Sequence, residues 1–316
     1  MQVKLAVKRF DPEREQDQSY VQDYTLDVPD HYTVLDALIQ TREEVDESLA
    51  VRCSCRASIC GSCAMRVNGH AGLGCKTKLL DSMDKDGVVQ VEPMGNQPVV
   101  KDLVVDMSVF WNKIRAVKPY LQPEGPEPER EYVASNDSML KLLQTMGCIM
   151  CGACVSDCTV LEVNENFLGP AALAKAYRFV GDPRDGATNQ RFGELDEPGG
   201  MWDCTRCFEC VEACPKGVAP MDQIMNLREE AAAAGFTSTI GARHAEIFAD
   251  TVKHSGWLDE LQLAVKTPGM FNIGAQLHNM PVGIRAFLRG KLPPIVHKAI
   301  PSVRFVRRIF EKIEED

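Results

Sequence analysis

Four cysteines at 148, 151, 154 and 158 are answered by four more at 204, 207, 210 and 214. Both runs read C-x2-C-x2-C-x3-C, and Pro215 closes the second. A repeat this regular leaves chance negligible and obliges the chain to bring the thiols together. The spacing is that of two-cluster ferredoxins, in which each run gives three thiolates to one iron–sulfur cluster and lends its fourth to the other. Crossed ligation then groups Cys148, Cys151, Cys154 and Cys214 around one cubane, and Cys204, Cys207, Cys210 and Cys158 around the next. Two zinc sites are the alternative, which the trailing proline and the x2-x2-x3 run suit far less well.

A separate cysteine loop lies upstream, in VRCSCRASICGSCAMRVNGHAGLGCKT. Cys55, Cys60 and Cys63 have the C-x4-C-x2-C spacing of plant-type [2Fe–2S] ferredoxins, and Cys75 supplies a fourth ligand. Such a loop must turn backbone N–H groups towards sulfur, so Gly61, Gly69, Gly72 and Gly74 are expected at close approaches and unusual φ angles. A structural zinc site is the rival reading, although zinc knuckles pair two short hooks rather than crowding three cysteines into one loop. Cys53 lies outside the pattern and reads as a small buried thiol. Arg56, Arg66 and His70 read as solvated surface.

Around these loops the hydrophobic pattern changes period. Residues 3–10 and 20–28 alternate as strands, the second placing Tyr20, Tyr24, Leu26 and Val28 on one face, with a polar turn from Asp11 to Ser19 between them. Thr33 can cap a helix carrying Val34, Leu35, Leu38 and Ile39, and strand-like runs return near 64–67 and 88–92. This β,β,α,β order predicts a small α+β domain. A proline-rich stretch at 118–128 then reads as a stiff linker. Beyond it the pattern is helical. One helix capped at Ser135, Asn136 or Asp137 carries Met139, Leu140, Leu142, Leu143 and Met146 inward and ends at Gly147. A second runs from Pro170 through Val180, and a third opens at Pro220 with Ile224 and Leu227 inward, ending near Gly235. The cysteine runs therefore fall at helix ends, where free amides favour anionic sulfur.

Composition narrows the functional classes. The 316-residue chain carries a formal charge of −10, which argues against a general nucleic-acid binder. Thirteen cysteines without an apolar signal core at Met1-Gln2-Val3-Lys4 read as metal sites in a reducing, cytoplasmic setting rather than as a disulfide framework. No apolar stretch approaches the roughly 18 residues of a membrane span, so membrane contact is expected to be peripheral.

The order of these motifs resembles the iron–sulfur subunit of succinate dehydrogenase/fumarate reductase. The likeness rests on VLDAL (34–38), SCRASICGSC (54–63), VEPMGNQPVVKDLVVD (91–106), YRFVGDPRD (177–185) and CPKGVAP (214–220), and covers roughly residues 1–235. It implies an α+β architecture: an N-terminal β-grasp plant-type ferredoxin domain (1–106), a linker (107–135), a C-terminal all-α dicluster ferredoxin domain (136–235) and a helical extension (236–316). It also implies an electron relay with no dicarboxylate site and no catalytic residue of its own. Electrons would pass between the FAD of a flavoprotein subunit, the [2Fe–2S] cluster of Cys55, Cys60, Cys63 and Cys75, a [4Fe–4S] cluster and a third cluster. The complex would lie on the inner face of the cell membrane through a membrane-anchor or CCG-domain subunit.

Three departures bear on the third cluster. Common family members place an apolar residue at the position of Cys207 and hold [3Fe–4S], whereas the thiol here predicts a second [4Fe–4S]; in a [3Fe–4S] site Cys207 would not be a ligand. Thr159 replaces a proline, with no tryptophan following. Thr205 stands where some relatives carry a quinone-site histidine. A complete second motif is similar to thiol-linked fumarate reductases and heterodisulfide-reductase-type subunits, the alternative reading.

The tail adds one charge feature. Between 285 and 310 there are seven Lys/Arg and no Asp/Glu, and Val303, Val306 and Phe310 share a helical stripe with Arg304, Arg307 and Arg308 largely elsewhere. The segment is expected to dock the subunit to its anchor, against the plainer reading of a solvated helix packed on its own domain.

Overall fold

The computed structural model describes residues 1–15, 18–294 and 298–315, which form two compact units, Met1–Glu229 and Glu230–Asp316. Residues 16 and 17 of the expected 11–19 turn lie outside the described residues, as do 295–297 of the basic segment.

The first unit begins with strand β1 (Gln2–Phe10), which buries Val3, Leu5, Val7 and Arg9 alternately, the period a half-covered strand requires. It pairs antiparallel with β2 (Ser19–Asp27), whose Tyr24 and Leu26 face inward. Thr33 caps α1 (Val34–Gln40) through a reciprocal box: the Asp36 N–H donates to Thr33 Oγ1, and the Thr33 N–H to the Asp36 carboxylate. Val34, Leu35, Ala37 and Leu38 thereby turn onto the sheet and join its apolar core. Strands β3 (Ala64–Val67) and β4 (His70–Leu73), helix α2 (Leu79–Ser82) and strand β5 (Val88–Glu92) complete a mixed five-stranded sheet in the order β2-β1-β5-β3-β4. Its β1–β5 pair is parallel. β6 (Val99–Lys101), β7 (Val104–Val105) and α3 (Ser108–Ala116) follow.

Arg9 is the charged centre of this half. Its guanidinium donates to Asp102 at 2.7 Å, Asp46 at 2.7 Å and Ser48 at 3.0 Å. The fully buried Asp102 carboxylate also accepts from the Phe10 and Ala50 amides, so neither buried charge is left unpaired.

The stretch after α3 is pinned rather than free: buried Arg191 donates to the carbonyls of Val117, Lys118 and Tyr120 while pairing with Asp185. Next come α4 (Asn136–Leu140) and α5 (Leu143–Met146). The single helix expected over 136–147 is therefore two short turns. Of its apolar stripe only Leu142 is fully buried, and Leu140, Leu143 and Met146 face solvent. With so little of the stripe buried, a longer helix has little packing to sustain it.

Beyond these lie α6 (Ala153–Ser156), α7 (Thr159–Val163), α8 (Pro170–Val180), α9 (Thr188–Leu195), α10 (Glu209–Glu212) and α11 (Pro220–Ala233). Helix α8 runs from its N1 proline to Gly181 as its sequence predicts and is buried along most of its length. Ile224 and Leu227 of α11 face inward, also as expected.

The second unit contains α12 (Ile240–Ser255), α13 (Glu260–Lys266), α14 (Ile273–Leu288) and α15 (Val303–Glu315). Arg307 donates to the His254 carbonyl at 2.7 Å, and Lys253 lies over the Phe310 ring, which joins α15 to α12. Val303, Val306 and Phe310 are half-buried. Among the described residues no helix is long and apolar enough to cross a membrane.

Candidate iron–sulfur centres

In the first loop the chain coils around sulfur. The amides of Ala57, Ile59 and Cys60 all point at Cys55 Sγ, at 3.3–3.4 Å. The Cys55 amide points at Cys60 Sγ and the Ser58 amide at Cys75 Sγ. Left-handed backbone at Arg56, Ser58 and Gly61 shapes this nest, while the left-handed Gly69 turns the hairpin between β3 and β4. Gly72 and Gly74 do not adopt positive φ, contrary to expectation. Gly74 instead packs closely: an added Cβ would stand 3.0 Å from Met65 Cε, which would have to shift. The Cys60 thiol is drawn down to about 6 by the Ser62 hydroxyl and by the Cys55 amide. Burial pushes Cys63 up to about 12.

The two C-x2-C-x2-C-x3-C runs fold alike. In the first, Met150 and Gly152 are left-handed and α6 starts after Gly152. In the second, Arg206 and Phe208 occupy the same two repeat positions, are also left-handed, and α10 starts after Phe208. Cys148, Cys151, Cys154 and Cys214 line one pocket together with Ala171 and Ala174 of α8 and Phe110 of α3. The small residues of α8 make the room, a signal the sequence carried in AALAKA. Burial lifts Cys151 to about 11 and Cys154 well above its ordinary value, and the charges of Cys148 and Cys214 act on both thiols. The other set is equally mutual. Cys210 is pushed up to about 12 by burial and then by Cys204, Cys158 and Cys207, while Cys158 is raised by burial with Cys207 and Cys204 behind it. Thr159 Oγ1 lies 3.5 Å from Cys207 Sγ. Cys214 thus stands beside the first run and Cys158 beside the second.

Among the described residues no three His, Cys, Asp or Glu side chains are arranged to hold a single metal ion. The donor set does fit multi-iron clusters. Buried thiols that resist ionising alone are stabilised as thiolates by bound iron, and the inward amides suit anionic sulfur.

The sheet and the helical region meet at these loops. Gly61, at φ +74°, lies back to back with Cys151: a Cβ built on it would fall 2.8 Å from Cys151 Cβ and 2.9 Å from its Cα. Asn96 Nδ2 donates to the carbonyls of Val155, Ser156 and Cys158, and the Ala71 amide donates to Asp157 at 2.6 Å. Arg66 is not the solvated side chain expected; it pairs with Asp157 at 3.3 Å and donates to the Gly69 carbonyl. Arg56 and His70 are exposed, and Cys53 is half-buried against the sheet core. Buried Arg228, which sequence reasoning missed, gathers the carbonyls of Met201, Trp202 and Cys204.

Fold and site together define an iron–sulfur electron-transfer protein. A family model described as a 2Fe-2S iron-sulfur cluster binding domain matches residues 4–112, and a 4Fe-4S dicluster domain model matches 144–218. The chain is 31% identical over 303 residues to the 8-methylmenaquinol:fumarate reductase iron-sulfur subunit of Wolinella succinogenes, covering 93% of this chain and 92% of that one. That match necessarily takes in most of residues 236–316. It is 40% identical over 197 residues to the succinate dehydrogenase iron-sulfur subunit of Paracoccus denitrificans, covering 62% of this chain and 74% of the relative. A solved chain of the Mycobacterium smegmatis Sdh1 complex in the apo form superposes with a TM-score of 0.68 at 28% identity, over 75% of this chain and 98% of that one. The chain belongs to the family of succinate dehydrogenase/fumarate reductase iron–sulfur subunits.

Proposed function

We propose that this chain relays electrons between the FAD of a flavoprotein subunit and a quinone or other membrane-side acceptor, within a succinate dehydrogenase/fumarate reductase complex. The observation that carries the reading is the main-chain contact of Gly61 with Cys151, which brings the first cysteine loop against the second. Cys55, Cys60, Cys63 and Cys75 would hold a [2Fe–2S] cluster. Cys148, Cys151, Cys154 and Cys214 would hold a [4Fe–4S] cluster, and Cys158, Cys204, Cys207 and Cys210 a second. Clusters held there supply one-electron redox chemistry. The chain's own part is to fix their spacing, keep water from the middle site with Phe110 and α8, and point amides at sulfur.

The sheet-and-helix half, which we assign to residues 1–106, reads as a β-grasp domain. Residues 107–135 then link it to the dicluster domain at 136–235. The full-length likeness to a quinol-linked fumarate reductase subunit supports a quinone as the distal couple. A cytoplasmic position on the inner membrane face, held through partner subunits, follows from that assembly.

EPR on the anaerobically purified complex tests the assignment. Three one-electron centres are expected, with no oxidised-state [3Fe–4S] signal. Cys207→Ala is expected to create that signal. Its presence in oxygen-protected wild-type protein would overturn the second [4Fe–4S] cluster.

A further inference from the structure

Helix α14 is 16 residues long, and none of its residues is buried. At 1.5 Å per residue it measures about 24 Å, short of the ~20 residues needed to span a bilayer. Ile273, Leu277, Met280, Ile284, Phe287 and Leu288 recur at helical spacing and form one apolar stripe about 100° wide. All six are half or more exposed, and Phe271, just before the helix, is 91% exposed. Arg285 lies at the edge of the stripe, and Arg289 and Lys291 follow directly after the helix. The same segment is anomalous in charge. Between 261 and 310 there are eight Lys/Arg and no Asp/Glu, in a chain of net charge −10.

We infer that the stripe of α14 lies in the headgroup region of an anionic phospholipid bilayer, so that this chain touches lipid itself rather than only through partner subunits. Charge complementarity selects lipid over a protein groove. A protein surface interleaves both signs, whereas fifty residues without a carboxylate match a surface that is anionic throughout. A flanking arginine can bury its stem beside the stripe and keep its guanidinium among phosphates. Phe305 and Ile309 of α15 are also exposed.

Vesicle co-sedimentation of the purified, cluster-loaded full chain tests this. Binding is expected to vesicles containing phosphatidylglycerol, to fall with added salt, and to be absent with phosphatidylcholine alone. Replacing Arg285, Arg289 and Lys291 together by Gln is expected to weaken binding about a hundredfold. Ile284→Ser with Phe287→Ser is expected to abolish it, with cluster absorbance unchanged because these positions are exposed. In an otherwise unaltered chain, Phe287→Trp is expected to show a blue-shifted emission on mixing with the anionic vesicles. Failure to bind them, equal binding to neutral vesicles, or full binding by the Ser variant would overturn the inference and assign the stripe to a protein partner. None of these readouts depends on succinate turnover or on the cluster types.

Discussion

Replacing Gly61 by alanine should separate two loops that the fold holds back to back. The new Cβ would stand 2.8 Å from Cys151 Cβ and 2.9 Å from Cys151 Cα, against a comfortable carbon–carbon separation of about 3.5–4.0 Å. The obstacle is Cys151 Cα and the Cβ rigidly fixed to it, so no side-chain rotation can relieve it. A left-handed φ of +74° costs alanine a further ~1–2 kcal/mol. With ~1–3 kcal/mol for overpacking, the loss comes to roughly 2–5 kcal/mol. In a unit of this size each kcal/mol lowers Tm by about 2–4 °C. Gly69→Ala is the internal control, because Gly69 also has positive φ (+83°) but nothing within 4 Å of an added Cβ. It should lose only the backbone share. Thermal loss of cluster absorbance in both variants reads the difference, and EPR of the doubly reduced protein should show weaker coupling between the first two centres in Gly61→Ala. If Gly61→Ala were no less stable than Gly69→Ala, the packing argument would fail.

Asp102→Ala leaves the Arg9 guanidinium buried with one carboxylate partner fewer, and urea unfolding should register a loss of about 3–5 kcal/mol. Asp182, with no exposed side-chain surface, is held well below the usual carboxylate range by Arg184, against the opposing effect of burial, and then by Arg178. A depressed folded pKa stabilises above the unfolded value near 3.9 and is lost as pH falls below it. Asp182→Asn should therefore lower Tm at pH 7 and flatten its fall below about pH 4; an unchanged acid limb would refute the pairing. Phe208, left-handed where the other repeat has Gly152, should gain about 1 kcal/mol on replacement by glycine, measured as a raised Tm of the cluster-loaded protein.

Local elements were legible because their signals are local. The alternation of β1, the Thr33 box and the Pro170-to-Gly181 frame of α8 each specify structure within a few residues. The nearness of Cys214 to the first run and of Cys158 to the second was legible too, since it follows from spacing. What escaped was long-range. Arg66 reads as a surface cation until Asp157, ninety-one residues later, is placed beside it. Asn96 reveals nothing of the three carbonyls it clamps. Met150, Arg206 and Phe208 gave no warning of left-handed backbone, which sequence reasoning assigns to glycine. The expected helix over 136–147 breaks into two short turns, with only Leu142 of its apolar stripe fully buried.

The Gly61–Cys151 contact also separates two properties that a redox chain must set. With main chain touching main chain, no side chain intervenes to fix the gap between the first two centres. Substitutions nearby can then alter charge, hydration and amide geometry, and hence each centre's potential, without changing the distance an electron must cross. Energetics can drift with lineage and habitat while the span stays constant.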